Sequence, residues 1–184
     1  MDYMISFKAS FLNNVSIQKR IDNKNVKNIN VPVFELHPDS LEDYNAIRQI
    51  GRTWEHGASF AGDLFDNFAR DRFCKSDKNS INTRYFAICS SKNIDSDNIL
   101  GVASLVEEKN NTHTLKHLQT NPLHKHGSAN REYFSVGQEL VKMIQKLPNV
   151  KEIFLFAGDR GAEIFYEKLN FKLLTDSIYM HFKR

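Results

Sequence analysis

Residues 131–138 carry an arginine, a serine and a glycine just before a predicted amphipathic helix, namely Arg131, Ser135 and Gly137. The first N–H groups of a helix have no partner within the helix, and the helix dipole strengthens their attraction for an anion. Gly137 would let a bound group approach the backbone closely, and Arg131 can contact a phosphate through two N–H groups. These residues suit phosphate binding, but they equally fit a plain helix start with Ser135 as its N-cap.

Four histidines lie close together in the sequence, His113, His117, His124 and His126. Imidazole is a common zinc ligand, so this window is a candidate metal site. No Cys, Asp or Glu lies among the histidines at a familiar ligand spacing, and Lys125 adds unfavourable positive charge. We therefore expect no metal site.

The elements around these residues form a mixed α/β pattern. Apolar–polar alternation and short apolar runs between turn residues predict strands at 31–36, 85–89, 100–106, 115–120, 150–157 and 172–182. Apolar residues at helical spacing predict helices at 40–51, 59–73, 134–147 and 162–169. The order β-α-α-β-β-β-α-β-α-β indicates a mixed sheet with a βαβ crossover in its second half.

Residues 1–30 stand apart from this pattern. Residues 4–12 are strand-like, whereas residues 21–30 are rich in Asn and Lys and have little apolar surface to bury. Such a composition predicts a mobile connection. We therefore expect an N-terminal extension over residues 1–30, partly strand-like with a polar linker, and one main domain over residues 31–184.

The composition argues against several classes of protein. The 184 residues are 41% hydrophobic and include 14 Phe, which is typical of a globular chain and not of a disordered one. A net charge of +3 predicts no general nucleic-acid binding, and the apolar runs fall far short of the about 20 residues that span a bilayer. Asp2 stands where a signal peptide would have basic residues. Two distant cysteines, Cys74 and Cys89, fit a reducing compartment, and the cytoplasm is the predicted location.

Two segments resemble motifs of the GNAT superfamily of N-acyltransferases. Residues 118–122 (LQTNP) and 131–138 (REYFSVGQ) resemble its acyl-CoA motif, in which a strand and an Asn-Pro or His-Pro step precede Arg/Gln-x-x-Gly-x-Gly/Ala at a helix N-terminus. Residues 159–171 (DRGAEIFYEKLNF) are similar to its motif Asn-x-x-Ala-x-x-Phe-Tyr-x-x-x-Gly-Phe. Together with the order of elements, the resemblance covers the chain from about residue 31 to its C-terminus.

The resemblance implies a GNAT-like acyl-CoA N-acyltransferase fold and an acetyl-CoA-dependent N-acetyltransferase, with acetyl-CoA as cosubstrate and no metal. An amine would attack the acetyl thioester directly, and Tyr166 would protonate the departing thiolate as the catalytic acid. Backbone N–H groups near Gln119 and Thr120 would polarise the thioester carbonyl. The residues implied in cofactor binding are Leu118, Gln119, Thr120, Arg131, Ser135, Val136, Gly137, Gln138, Asp159 and Phe165.

The sequence says less about the residues that bind the acceptor amine than about those that bind the cofactor. Trp54, Glu55 and His56 lie between the first two predicted helices and are candidates for substrate contact. Trp54 fits a core position beneath the loop equally well. The acceptor amine can belong to a small molecule or to a protein or peptide, and a homodimer is also open.

The general base that deprotonates the amine has three candidates in the sequence. Two are Glu55 and His56 in the loop between the helices, and the third is His117 in a predicted strand. Alternation along that strand predicts that His117 shares a face with Leu115 and Gln119. The residues at 118 and 120 would lie on the other face.

A second class of function fits the same fold. Ser135 stands where the acyl-CoA motif has its first glycine, Glu132 stands where it has Arg or Gln, and the loop between the two halves of the motif is longer than usual. These departures favour a non-catalytic acyl-CoA-binding or peptide-binding module. The intact Phe165–Tyr166 pair favours the enzyme. Asn170 in place of the motif's last glycine is a mild change, because Asn tolerates the left-handed conformation after a helix.

Overall fold

The computed structural model describes residues 8–54, 60–74, 82–124, 127–174 and 178–184. Within these ranges the strands are β1 (Ser10–Arg20), β2 (Val26–Leu36), β3 (Thr83–Cys89), β4 (Ile99–Glu107), β5 (Thr112–Thr120), β6 (Tyr133–Phe134), β7 (Glu152–Phe156), β8 (Lys172–Leu173) and β9 (Tyr179–Lys183). The α-helices are α1 (Leu41–Thr53), α2 (Phe60–Phe73), α3 (Val136–Gln145) and α4 (Arg160–Glu167). Short 3-10 turns lie at Lys109–Asn111 and Pro122–His124.

The strands form one sheet in the order β6-β1-β2-β3-β4-β5-β7-β9-β8. Neighbouring strands are antiparallel except β5 and β7, which are parallel. Parallel neighbours need a crossover connection, and α3 supplies it between β5 and β7. The predicted mixed α/β sheet and its βαβ unit are therefore confirmed.

Helices cover both faces of the sheet, and each face buries its own apolar cluster. Alternation along β3 sends Tyr85 and Ala87 to one cluster and Phe86 and Ile88 to the other. The α1/α2 face also buries Phe34, Ile47, Ile50, Leu64 and Phe68. The α3/α4 face also buries Leu105, Leu140, Val141, Ile144 and Ile153.

The first helix begins where the sequence predicts. The Ser40 hydroxyl accepts a hydrogen bond from the backbone N–H of Asp43 at 3.2 Å, and the Asp43 carboxylate accepts one from the backbone N–H of His37 at 2.8 Å. This pair satisfies two backbone donors at the turn that precedes α1. Among the described residues, no helix is long and apolar enough to cross a bilayer.

The N-terminal residues differ from the sequence expectation. Residues 21–30 do not form a linker throughout, because β2 begins at Val26 and pairs with β1 in an antiparallel hairpin. The Asp22 carboxylate accepts hydrogen bonds from the backbone N–H groups of Lys24 and Asn25, which closes the turn. The expectation failed because the outer half of this hairpin is exposed and therefore carries little apolar pattern. A domain boundary at residue 30 stays a prediction.

Candidate active site

A cavity of about 370 Å³ lies at the N-terminal end of α3, between β5 and α4. We call it the α3 cavity. Its walls come from β5, the 3-10 turn that follows it, the segment that leads into and begins α3, and α4. The lining residues are Leu118, Thr120, His124, Arg131, Ser135, Val136, Gly137, Gln138 and Phe165.

The turn at Ser135 leaves backbone donors pointing out of the helix start. Ser135 is the N-cap by position, and the first helical bond runs from the N–H of Glu139 to its carbonyl at 2.9 Å. The N–H groups of the three residues between them lie in the first turn and have no partner within the helix. The Ser135 hydroxyl accepts no capping hydrogen bond. Of the two interpretations left open by the sequence, the geometry therefore favours an anion site over a side-chain cap.

The backbone at Ser135 is left-handed, with φ of 64°. This conformation is unfavourable for a residue with a Cβ and is easily adopted by glycine. Holding Ser135 in this conformation costs about 1–2 kcal/mol.

Two glycines lie near the contact of α3 with the sheet, and they differ in how much space they have. A Cβ on Gly137 would lie 3.4 Å from Cγ2 of Thr120 and 3.7 Å from Cζ of Phe165, at the floor of the α3 cavity. A Cβ on Gly101 of β4 would lie only 2.7 Å from Cγ1 of Val136. Gly101 was not singled out in the sequence, because its role depends on a helix that lies beside it only in the folded chain.

Beyond their first residues, β5 and β7 separate and form what we call the β5–β7 gap. They pair over residues 112–114 and 152–154, and β5 then continues to Thr120 without further pairing to β7. The N–H of Asn121 donates to the carbonyl of Leu100 in β4 at 2.9 Å. Because donors alternate along an antiparallel strand, the N–H groups of Leu118 and Thr120 point away from β4, towards the gap. Gln119 therefore cannot offer its backbone N–H there.

Two further groups shape the rim of the α3 cavity. The N–H of Glu132 donates to Nδ1 of His124 at 3.4 Å, which leaves the proton of a neutral imidazole on Nε2. Burial lowers the pKa of His124 and favours that neutral form. The Glu132 carboxylate pairs with Lys19 at 3.0 Å and does not line the cavity, so Lys19 offsets part of its charge.

The helix α4 carries the aromatic pair of the second motif. Asp159 is its N-cap and accepts from the N–H of Ala162 at 2.8 Å. The Tyr166 ring packs edge-on against Phe165 at 4.9 Å and Phe171 at 5.4 Å between centroids. Burial raises the pKa of the Tyr166 phenol well above its ordinary value, so the hydroxyl stays protonated.

Comparison with known proteins identifies the fold of this chain. No family model matches the sequence, and no curated protein matches it either. Solved structures do match: the N-acetyltransferase PaiA from Thermoplasma acidophilum, in complex with coenzyme A, is 16% identical over 85% of this chain and 100% of that chain, with a TM-score of 0.54. A GNAT-family acetyltransferase from Desulfovibrio desulfuricans is 13% identical over 82% of this chain and 98% of its own, with a TM-score of 0.54. This chain has the GNAT N-acetyltransferase fold.

A third GNAT-fold structure has a protein partner. It is a tyrosine-to-phenylalanine variant of the toxin AtaT, bound to the C-terminus of the antitoxin AtaR and to acetyl-CoA. It is 15% identical over 83% of this chain and 92% of its own, with a TM-score of 0.52. At these identities the likeness establishes the fold.

The structure separates the residues predicted for cofactor binding into two groups. Those of the first motif line the α3 cavity except Gln119, and Phe165 of the second motif joins them. Gln119 pairs with Val102, a residue of the α1/α2 cluster, and its side-chain Oε1 is buried without a hydrogen-bond partner in the described part of the chain. Asp159 caps α4 and does not line the cavity.

The strand β5 departs from simple alternation. Its register against β4 shifts between Ser104 and Leu105, which leaves Lys116 as an extra residue. His117 therefore faces α1/α2, as expected relative to Leu118, but Leu115 lies in the α3/α4 cluster and not beside it. The expected grouping of His117 with Leu115 was wrong for this reason.

His117 is buried on the α1/α2 face, with Nδ1 2.7 Å from the Ser104 hydroxyl. Burial, and then the charge of Lys116, lowers the pKa of His117 and favours the neutral ring. Trp54 is 5% exposed and packs in the core of the same face, and its contact with a substrate stays a prediction. Glu55 and His56 lie outside the described residues.

Proposed function

We propose that the protein is an acetyl-CoA-dependent N-acetyltransferase that transfers an acetyl group to a primary amine by direct attack in a ternary complex. The observation that carries this proposal is the α3 cavity. It combines uncapped first-turn N–H groups, a glycine at its floor and an arginine on its wall, and it adjoins the β5–β7 gap. The GNAT fold, and the coenzyme A and acetyl-CoA of the PaiA and AtaT structures, support the same cofactor.

In this proposal the cofactor extends from α3 to the β5–β7 gap. The N–H groups of Val136, Gly137 and Gln138 bind the pyrophosphate, which suits the positive end of the helix dipole. The pantetheine arm follows the open edge of β5, where the N–H groups of Leu118 and Thr120 are directed. The acetyl thioester then lies in the gap, where one of these N–H groups stabilises the developing oxyanion.

The reaction needs an electron pair from a neutral amine and a proton for the leaving group. The amine nitrogen attacks the thioester carbonyl, the new C–N bond forms, and the C–S bond breaks. Tyr166 donates its phenolic proton to the departing thiolate, and the amine loses its proton to a base. The products are the N-acetylated amine and free coenzyme A, and no covalent enzyme intermediate is required.

The acceptor approaches from the α1/α2 face, because the cofactor occupies the other face. His117 is the candidate base within the described residues, since the lowered pKa of its ring keeps it able to accept a proton. The buried Oε1 of Gln119 faces the same side and lacks a donor. An amine N–H supplies the kind of donor that this oxygen lacks.

A binding module without catalysis is the second candidate. It is favoured by Ser135, which holds the cofactor turn in a strained conformation, and by the AtaT structure, in which a GNAT-fold protein binds a segment of another protein. In that case the protein binds acyl-CoA or a peptide and releases no product. The partner remains an amine acceptor in the first candidate and a peptide in the second.

Two measurements on the purified protein test the proposal. Acetyl-CoA and CoA should raise the melting temperature while adenosine alone does not, because most of the proposed contacts are to the pyrophosphate and pantetheine. At about 100 times the dissociation constant the stabilisation is about 2.7 kcal/mol. Free CoA thiol should then appear when acetyl-CoA is mixed with a panel of amines, peptides and proteins, and intact mass identifies the acceptor. Binding without thiol release for any acceptor would favour the module, and no shift at millimolar ligand would refute the cofactor assignment.

A further inference from the structure

The N-terminal hairpin contacts the segment that leads into α3 through Arg20, the last residue of β1. Its backbone N–H donates to the carbonyl of Glu132 at 2.7 Å, and its guanidinium donates to the carbonyl of Ala129 at 3.4 Å. Beside it, Lys19 pairs with Tyr133 of β6 across the sheet. Arg20 is therefore fixed against the segment that forms the phosphate turn, although it lies outside the part of the chain that resembles the GNAT motifs.

Two guanidinium groups pack against the ring of Phe134. Cζ of Arg20 lies 5.4 Å from the ring centroid, and Cζ of Arg131 lies 4.5 Å from it. Burial, and then the charge of Arg20, lowers the pKa of Arg131. The two guanidinium groups share this ring and their like charges repel, so an anion beside them would offset that repulsion.

The acidic residues nearest in the sequence have other partners. Glu132, next to Arg131, pairs with Lys19, and Asp22, near Arg20, accepts hydrogen bonds from the N–H groups of Lys24 and Asn25. Across the described ranges, no ion pair joins Arg20 or Arg131 to an aspartate or a glutamate. The two arginines therefore form an uncompensated positive site at the rim of a cavity that suits phosphate.

We infer that Arg20, together with Arg131, binds the 3′-phosphate on the ribose of coenzyme A and so determines specificity for coenzyme A over its dephosphorylated form. This inference rests on the proposed function. The first-turn N–H groups of α3 take the pyrophosphate, and the thioester lies in the β5–β7 gap. Arg131 lines the cavity, and Arg20 lies outside the lining on the same Phe134 ring as Arg131, a position that suits a part of the cofactor beyond the pyrophosphate. The ribose phosphate is the anionic group of that part, and guanidinium groups bind it through charge-assisted hydrogen bonds.

The test compares the dissociation constants of CoA and dephospho-CoA, which differ only in the 3′-phosphate, by calorimetry. The parent protein should bind CoA about 10-fold more tightly, as expected for a charge-assisted contact. Arg20→Gln should weaken CoA binding about 10-fold and leave dephospho-CoA binding within about twofold. Arg20→Lys should retain part of the preference, because it keeps the charge without the planar guanidinium. Arg48→Gln removes one charge from the exposed side of α1 and should leave both constants unchanged.

Several results would overturn the inference. Equal binding of the two ligands by the parent protein would show that no group recognises the 3′-phosphate. An equal loss for both ligands in Arg20→Gln would show that Arg20 acts on the loop or the pyrophosphate. Failure of the parent protein to bind either ligand would refute the proposed function itself, which is a different outcome from equal binding. Melting temperatures of all variants without ligand separate a loss of binding from a loss of folding.

Discussion

At the scale of single residues, removal of the Tyr166 hydroxyl is the most direct test of the proposed catalysis. Tyr166→Phe keeps the ring that packs against Phe165 and Phe171 and removes only the proton donor. We expect kcat to fall by about 10²- to 10⁴-fold, the usual contribution of a general acid, with little change in the dissociation constant of acetyl-CoA. The measurement is kcat from thiol release, together with cofactor affinity from calorimetry.

Tyr166→Phe should give a different result if the Tyr166 side chain has only a structural role. Loss of a buried hydroxyl would then cost on the order of 1 kcal/mol of stability and leave kcat within a few-fold of the parent. Tyr44→Phe is a matched control, because Tyr44 also lies in an aromatic cluster but on the α1/α2 face. It should leave kcat unchanged.

The raised pKa of the Tyr166 phenol determines how its contributions to stability and to rate depend on pH. Below about pH 10 the phenol is protonated in both the folded and the unfolded chain, so it makes no pH-dependent contribution to stability there. Above about pH 10 the unfolded phenol ionises while burial keeps the folded one neutral, so stability falls as pH rises. The loss of rate in Tyr166→Phe should therefore be constant between about pH 7 and 9.

Sequence reasoning named some residues of the candidate site and left out others for a physical reason. Arg131 and Gly137 were predicted because their chemistry follows from residue type next to a helix start. Arg20, Gly101 and His124 were missed because each acts through a neighbour that is distant in the sequence. Gln119, conversely, was placed with the cofactor residues, although strand alternation sends it to the other face.

At the scale of elements, two glycines near the contact of α3 with the sheet have different expected roles. Gly137→Ala should keep the fold, because its Cβ would make ordinary contacts with Thr120 and Phe165, but it should weaken CoA binding about 10-fold by occupying the floor of the α3 cavity. Gly101→Ala should lower the free energy of unfolding by about 1–3 kcal/mol, because its Cβ would overlap Val136 and displace α3.

Gly137→Ala and Gly101→Ala are compared with the parent protein by thermal melting and by CoA affinity. If Gly137→Ala binds CoA as the parent does, the phosphate is not bound at this helix start. If Gly101→Ala melts as the parent does, the close contact between β4 and α3 is not required. A stability loss in Gly137→Ala equal to that in Gly101→Ala would assign both glycines a packing role.

Helices and strands could be predicted from the sequence where one face of the element is buried. The helices α1, α2 and α3 and the strands β3 and β4 were found within a few residues, because their apolar residues follow the period of the element. The strand β6 consists of Tyr133 and Phe134 alone and leaves no such pattern. The extra residue Lys116 in β5 was also invisible, because a bulge is defined by the partner strand.

At the scale of the whole molecule, the order of elements was enough to predict the fold class. A helix pair between strands, an antiparallel run of three strands and a βαβ unit leave few ways to arrange a single sheet. The order of elements did not predict that β1 and β6 would extend this sheet beyond β2. The contact of β1 with β6 depends on Gln18 and Lys19 meeting residues next to the turn at Ser135.

The pairing of β1 with β6 has a consequence for local unfolding. A ligand that immobilises the turn at Ser135 also holds Phe134, and with it the pairing to Gln18. Amide hydrogens of residues 18–20 should then exchange with deuterium more slowly when CoA is bound, because the edge of the sheet opens less often. The central strands β3 and β4 should exchange equally slowly with and without ligand. Unchanged exchange at residues 18–20, or slowing spread evenly over all strands, would contradict this coupling. The rate at which the N-terminal edge opens is thus expected to report occupancy of a site formed mostly by distant parts of the chain.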